Sequence, residues 1–312
     1  MKVSRIVSAA LVLSVAAMVR AAAMPGTPAP APNADAAPAA ASSTKPSIFV
    51  CGDSTSKYSG SENISSDMQG WGTPLALFFD PAKAEVKNVG HAGTSSLTYY
   101  QGDWPKVLPQ IKAGDFVLIV FGINDGGRAT PNGIGDETTQ GPAGPETHTY
   151  GWYMSKMATD AREKGAHPVF LTVTTRNMWS NPKAKFKDAT PIGALPADYD
   201  AKQDTIERGT GDGRYGKWTE EVGAKLHIPV FDLTNYCADR YEKMGREEVN
   251  KLYKDHNHTH APGAKIVAES IVSGLKALKN SPFTPLLSDA GKALPTADAK
   301  YVSDNLADAP AK

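Results

Sequence analysis

Four short stretches of this 312-residue chain carry side chains able to do chemistry, and each sits beside an apolar run. They are Gly52-Asp53-Ser54, Gly93 at the end of Asn88-Val89-Gly90-His91-Ala92-Gly93, Gly122-Ile123-Asn124-Asp125, and Asp255-His256-Asn257-His258. Their types suit acyl transfer. A serine hydroxyl is a poor nucleophile until a base takes its proton, and His258 can do that near neutral pH. Asp255, three positions earlier, can hold the imidazole in the required tautomer. The tetrahedral intermediate carries an oxyanion. The backbone N–H groups of Ser54 and Gly93 and the side-chain amide of Asn124 can stabilise it, and a glycine at 93 lets the backbone come close. Taken singly, each piece has a plain structural reading: Ser54 as a helix cap, Asn124-Asp125-Gly126 as a turn, Gly93 as a loop glycine, His258 as a surface residue. The ordered set, with nucleophile, base, orienting acid and oxyanion donors all present, points to a serine hydrolase site.

Such residues need a frame that brings them together. Ser47 to Cys51 is a short apolar run, and Asp115 to Phe121 is the clearest buried strand. Ala84–Val89, Pro168–Val173 and Pro229–Leu233 read as three more strands. Helical patterns run over Trp71–Phe79, Trp104–Ile111, Tyr150–Lys164 (closed by Gly165), Lys217–Leu226 and Ala264–Leu278. Five β-rich strands alternating with helices predict an α/β fold, a parallel sheet with helices on both faces. Ligands in such sheets bind beyond the carboxyl ends of the strands. Three of the four stretches follow a strand and the fourth falls in a late loop, so they can converge there. Arg128 to Thr149 is a Gly/Pro-rich insertion long enough to suggest a functional or mobile loop.

The resemblance follows from the same residues. The order Gly-Asp-Ser, Gly, Gly-x-Asn-Asp, Asp-x-x-His resembles the SGNH (GDSL) hydrolases. Gly70-Trp71-Gly72, Phe121 to Gly127, His148-Thr149-Tyr150-Gly151-Trp152-Tyr153 and Arg176-Asn177-Met178-Trp179 are similar to stretches of bacterial rhamnogalacturonan acetylesterases. The likeness spans nearly all of residues 47 to 275. It implies a flavodoxin-like three-layer α/β/α sandwich around the five-stranded sheet. It also implies a deacetylase without metal or cofactor, acting on an acetylated pectic polysaccharide, or alternatively on xylan or a small acyl ester. Ser54, Asp255 and His258 take the triad positions, and Ser54, Gly93 and Asn124 the oxyanion-hole positions. Two positions depart from the family pattern: Ile123 stands where His is frequent, and Thr94 where Arg is frequent. Neither touches the triad; both bear on which sugar is bound.

The ends of the chain speak to compartment. Lys2 and Arg5 precede an apolar run from Ile6 to Val19, and Ala21 to Ala23 offer a cleavage site, which is the signal-peptide pattern over 1–23. The run is shorter than the ~20 residues of a spanning helix, so the expectation is a secreted or periplasmic protein, off the membrane once cleaved. Residues 24–45 are rich in Ala and Pro and read as a disordered linker. The folded domain is expected over 46–280, with a C-terminal tail over 281–312 of which Phe283 to Leu287 could pack on the domain. With 33 basic and 33 acidic residues, no net field draws in a nucleic acid, and a monomer is expected. Two cysteines, Cys51 and Cys237, make no disulfide framework, and Cys51 reads as a buried thiol. Two rivals remain open. His256, His258 and His260 could face one way in an extended segment as metal ligands. The chain could also be a carbohydrate-binding protein that has lost catalysis.

Overall fold

The computed structural model describes residues 45–57, 67–126, 130–136, 138–141, 144–187, 195–209 and 213–304. The expected leader, nearly all of the expected linker and the last eight positions lie outside them. Among the described residues no helix is long and apolar enough to cross a membrane.

The chain alternates strand and helix as its pattern predicts. First come β1 (Ser47–Gly52), α1 (Ser54–Lys57), α2 (Gly72–Leu75), β2 (Glu85–Asn88), α3 (Ser96–Gly102), α4 (Trp104–Val107) and β3 (Phe116–Val120). A hairpin, β4 (Thr138–Gly141) and β5 (Gly144–His148), precedes α5 (Tyr150–Glu163) and β6 (His167–Leu171). A small antiparallel sheet follows, β7 (Met178–Asn181), β8 (Ala184–Lys187) and β9 (Thr205–Ile206), then α6 (Arg214–Leu226) and β10 (Val230–Phe231). The chain ends through α7 (Leu233–Met244), α8 (Arg246–Asn250), α9 (Ala261–Ala277), α10 (Asp289–Ala293) and β11 (Val302–Ser303).

The main sheet has the order β11-β10-β6-β3-β1-β2. Its first five strands in sequence are parallel and stand in the order 2-1-3-4-5, the doubly wound arrangement. Because side chains alternate across a strand, β1 and β3 feed two cores at once. Ile48, Val50, Leu118 and Val120 pack with Ile271 and Leu275 of α9 on one face. Phe49, Cys51, Val117 and Ile119 pack with Met154 and Met157 of α5 on the other. That is the expected three-layer α/β/α sandwich. Both cysteines are free and buried; burial pushes the Cys51 thiol up to about 12 and the Cys237 thiol up to about 11.

The end of the chain corrects the expectation. Residues 281 to 304 are part of the domain, not a tail. Phe283 is fully buried against Phe116, ring centroids 4.5 Å apart, and Leu287 is buried beside it. The segment then returns to the sheet, where β11 adds a sixth, antiparallel strand to β10. A two-residue strand in polar sequence has no periodicity to reveal it. The long insertion before α5 also differs from a plain loop, since it holds the β4–β5 hairpin. Phe283→Ala should cost about 3–5 kcal/mol in urea unfolding, the usual penalty for emptying a buried aromatic site. A change below about 0.5 kcal/mol, as for a surface position, would return the segment to the status of a tail.

Candidate active site

The strand order reverses between β1 and β3, and doubly wound sheets bind ligands beyond the carboxyl ends of the strands at such a point. Ser54 stands at that point, at the first position of α1. Asp53 shapes the turn that presents it. Its carboxylate accepts the backbone N–H and the hydroxyl of Thr55, both at 2.8 Å, while its carbonyl accepts from Ser56 and Lys57. Burial pushes the Asp53 carboxyl up, against the pull of the Thr55 donors and of nearby His258. The turn is wedged from behind. Trp71 N–H donates to the Thr55 carbonyl at 3.0 Å and the Asn88 amide to the Ser56 carbonyl at 2.8 Å. A Cβ on Gly70 would lie 2.3 Å from the Ser56 carbonyl carbon, so only glycine lets these segments approach so closely. This gives the Gly70-Trp71-Gly72 stretch a physical reason.

His258 arrives from the loop between α8 and α9. One ring nitrogen, Nε2, lies 2.9 Å from Ser54 Oγ, and the other, Nδ1, 2.7 Å from Asp255 Oδ2. The second carboxylate oxygen of Asp255 accepts the backbone N–H groups of Asn257 and His258 at 2.7 and 2.8 Å. Burial pushes the Asp255 carboxyl up, but the His258 ring and these two N–H donors outweigh it and hold it below the usual carboxylate value. Three contacts from far along the chain brace the loop. Asn177 N–H donates to the His256 carbonyl at 2.9 Å, Tyr253 hydroxyl to the Thr175 carbonyl at 2.7 Å, and Gln69 exchanges bonds with Thr259. None had a role in the sequence reading. Asn177 lies in a stretch singled out there, yet no spacing rule links it to His256.

Gly93 and Asn124 stand beyond the ends of β2 and β3. Gly93 has φ +79°, a left-handed conformation that asks for glycine, and nothing crowds its α-carbon. Among the described residues the N–H groups of Ser54 and Gly93 meet no protein acceptor. Asn124 gives one amide hydrogen to the Thr94 carbonyl at 3.0 Å, which fixes its side chain and leaves the second hydrogen available. Its neighbour Asp125 is buried and ties the two loops together. Its carboxylate accepts the Ser96 backbone N–H at 3.0 Å and the Ser96 hydroxyl at 2.5 Å. Burial pushes the Asp125 carboxyl up to about 6, with the Ser96 donors pulling the other way. Ile123, one of the two departures from the family pattern, is half-buried and packs on the α5 side of the sheet, and Thr94 Oγ1 donates to the His91 carbonyl at 2.7 Å.

Hydrogen bonds thus join Ser54, His258 and Asp255, and Asn124 is tied to the loop that carries Gly93. The histidine run does not converge as a ligand set. Both ring nitrogens of His258 are engaged, His260 Nδ1 faces the Asp67 carbonyl at 2.9 Å, and no cluster of three or more metal-ligand side chains occurs among the described residues. Asp232, the other acid at a strand end, accepts the Asn235 N–H and caps α7.

The model of the GDSL-like lipase/acylhydrolase family matches residues 50–266. The chain belongs to this family. Like the other GDSL-like acylhydrolases it is a carboxylic ester hydrolase. A rhamnogalacturonan acetylesterase of Emericella nidulans is 27% identical over 240 residues, covering 73% of this chain and 84% of the relative. The rhamnogalacturonan acetylesterase RhgT of Bacillus subtilis is 26% identical over 262 residues, covering 78% and 96%. Among solved structures, the Bacillus subtilis protein YXIM superposes with a TM-score of 0.54 at 21% identity over 75% of this chain, which spans 56% of that one. That likeness concerns the fold.

Proposed function

We propose that this GDSL-family hydrolase is an exported serine esterase that removes O-acetyl groups from a pectic polysaccharide of the rhamnogalacturonan type. The observation that carries the proposal is the hydrogen-bonded series Ser54–His258–Asp255, with links of 2.9 and 2.7 Å. Ser54 Oγ attacks the acetyl carbonyl carbon and its proton passes to His258 Nε2. The carbonyl oxygen becomes an oxyanion facing Ser54 N–H, Gly93 N–H and the Asn124 amide. The intermediate collapses, the sugar oxygen leaves with the proton from His258, and an acetyl-serine remains. Water, deprotonated by His258, then attacks the acetyl carbon; the intermediate expels Ser54, which takes its proton back from His258. Asp255, ionised throughout, faces the imidazolium formed in each half-reaction.

The names of the two acetylesterase relatives support the acetyl group and the pectic substrate. The charged start, apolar run and small residues over 1–23 support export, and the chain is read as a monomer. Acetate release from acetylated rhamnogalacturonan, acetylated xylan and 4-nitrophenyl acetate tests the substrate, with a chelator added in parallel. Preference for xylan moves the substrate while leaving the chemistry, and loss of all activity on chelation defeats the serine mechanism. Asn124→Ala should lower kcat about a hundredfold or more with little change in KM, because the oxygen it faces is fully charged only in the transition state. A rise in KM alone would make Asn124 a substrate-holding residue instead.

A further inference from the structure

Ser54 and His258, the nucleophile and base of the proposed reaction, come from segments far apart in the chain. Ser54 sits in the turn after β1 and His258 in the loop between α8 and α9, 204 positions later. Their contact of 2.9 Å therefore needs a spacer that holds turn and loop at a fixed separation. Residues 69–71 bond to both, one position from Ser54 and one from His258. Trp71 N–H donates to the Thr55 carbonyl at 3.0 Å, and Gln69 N–H donates to the Thr259 carbonyl at 2.9 Å. The Thr259 hydroxyl returns a bond to the Gln69 carbonyl at 2.8 Å.

Both ends of this spacer are stiff. On the Ser54 side the approach is limited by backbone: a Cβ on Gly72 would lie 2.8 Å from the Ser56 carbonyl oxygen, and one on Gly70 would lie closer still to the same peptide. On the loop side Thr259 is buried and pairs with Tyr253 in an antiparallel bridge, while Lys254 N–H donates to the His258 carbonyl at 2.8 Å. A shift of Thr259 therefore carries His258 with it. The seam continues outward, where the Asp67 carboxylate meets Lys254 Nζ at 2.7 Å and the Asp67 carbonyl faces His260 Nδ1 at 2.9 Å. The braces from Thr175 and Asn177 hold the loop from the β6 side and do not set its distance from Ser54. The Asp255–His258 pair, by contrast, is internal to the loop and is held by the loop's own N–H groups. Loosening the spacer thus moves the imidazole relative to Ser54 and leaves its bond to Asp255 in place.

We propose that Thr259 is a positioning residue for ester cleavage: its hydroxyl locks residues 69–71 between the Ser54 turn and the His258 loop, and so sets the Ser54 Oγ–His258 Nε2 contact. This role rests on Ser54 and His258 acting as nucleophile and base. Proton transfer between such groups needs a heavy-atom separation of about 2.6–3.2 Å. A misplacement of about 1 Å can cost on the order of a hundredfold in rate, even when its cause lies away from the reacting atoms. Valine has nearly the shape of threonine and lacks the hydroxyl, so Thr259→Val removes the lock while the Gln69 N–H bond to the backbone remains.

The test follows inactivation of the full-length protein by a 4-nitrophenyl phosphonate ester. Ser54 Oγ forms the bond to phosphorus, 4-nitrophenolate leaves, and the hydroxyl proton passes to His258, so nitrophenolate release reads the step that needs the contact. Thr259→Val should lower the limiting inactivation rate about tenfold or more, with less than about a twofold change in the half-saturating concentration. Thr259→Ser keeps the hydroxyl and should return the rate to within about threefold of wild type. Thermal melting establishes that each variant is folded, and Thr259→Ala, which lets water reach the Gln69 carbonyl, takes the place of a valine variant that does not fold. On a His258→Ala background Thr259→Val should cost less than about twofold, since no base remains to be positioned. An equal loss on both backgrounds, or a loss in the serine variant as deep as in the valine variant, would make Thr259 a general support of the fold and overturn the proposal. A wild-type rate in Thr259→Val would overturn it as well, with the roles of Ser54 and His258 left standing. Failure of the phosphonate to label Ser54 in the wild type, or an undiminished rate in His258→Ala, would instead overturn those roles and the role of Thr259 with them.

Discussion

Ser54→Ala should reduce kcat/KM for ester hydrolysis by about 10⁴-fold or more while leaving the protein folded. Loss of the nucleophile removes the acetyl-serine route altogether, and what remains is the contribution of binding and the oxyanion donors. The change is small in structural terms. The side chain makes one bond, to His258 Nε2, and the backbone that shapes the turn is held by Asp53, Thr55 and Asn88 instead. A stability change of about 1 kcal/mol is therefore expected, a shift of roughly 2–4 °C in Tm for a domain of this size. Purified variant and wild type compared on 4-nitrophenyl acetate, with Tm measured in parallel, decide the matter. Activity within about tenfold of wild type would remove Ser54 from the mechanism.

Asp255→Asn should lower kcat by about 10⁴-fold, for a reason that lies in hydrogen-bond polarity. Asn keeps an oxygen for the Asn257 and His258 N–H groups, so the loop can persist. Its NH₂ then faces His258 Nδ1 and favours the tautomer protonated at Nε2, which cannot accept the Ser54 proton. The pH behaviour follows from the depressed Asp255 carboxyl. Asp255 is ionised across the working range, so the acid limb of kcat/KM reports the imidazole. A carboxyl held lower in the folded state than in the unfolded one stabilises the protein above the unfolded value of about 3.9, and that contribution fades as pH falls through the folded value. The Tm advantage of wild type over the variant should thus hold from pH 8 to about 5 and shrink below about 4. An unchanged rate would mean that a different acid serves His258; a constant Tm difference down to pH 3 would contradict the depressed carboxyl.

Much of this site was legible because the chemistry constrains residue type and order together. Ser54 after β1, Gly93 after β2 and Asn124 after β3 are each tied to a strand whose apolar run marks its end, and the strand-end rule then places them on one edge. Asp255 and His258 are three apart, so their pairing is local. The pieces that stayed hidden are those whose partners lie far along the chain. Asn177 and Gln69 hold the His258 loop through main-chain bonds, and any residue type can make such a bond. Asp125 reads as half of a turn signal, and only burial against Ser96 turns it into the tie between two loops. The α7 helix was not read from the sequence, since its apolar face is defined by what packs on it.

The amino-acid sequence by itself determined the α/β class and the five parallel strands, and it singled out Ser54, His258, Asp255, Gly93 and Asn124 as candidates for nucleophile, base, acid and oxyanion donors. These follow from local patterns: apolar runs, capping residues, glycines, and reactive side chains at strand ends. The tertiary structure alone decided that the His256–His260 run is split between a contact with Ser54 and a main-chain carbonyl. It also decided that the last strand returns antiparallel to β10. Each of these is a relation between segments remote in sequence. Local pattern sets what a residue can do, and only the packed fold sets which group stands opposite it.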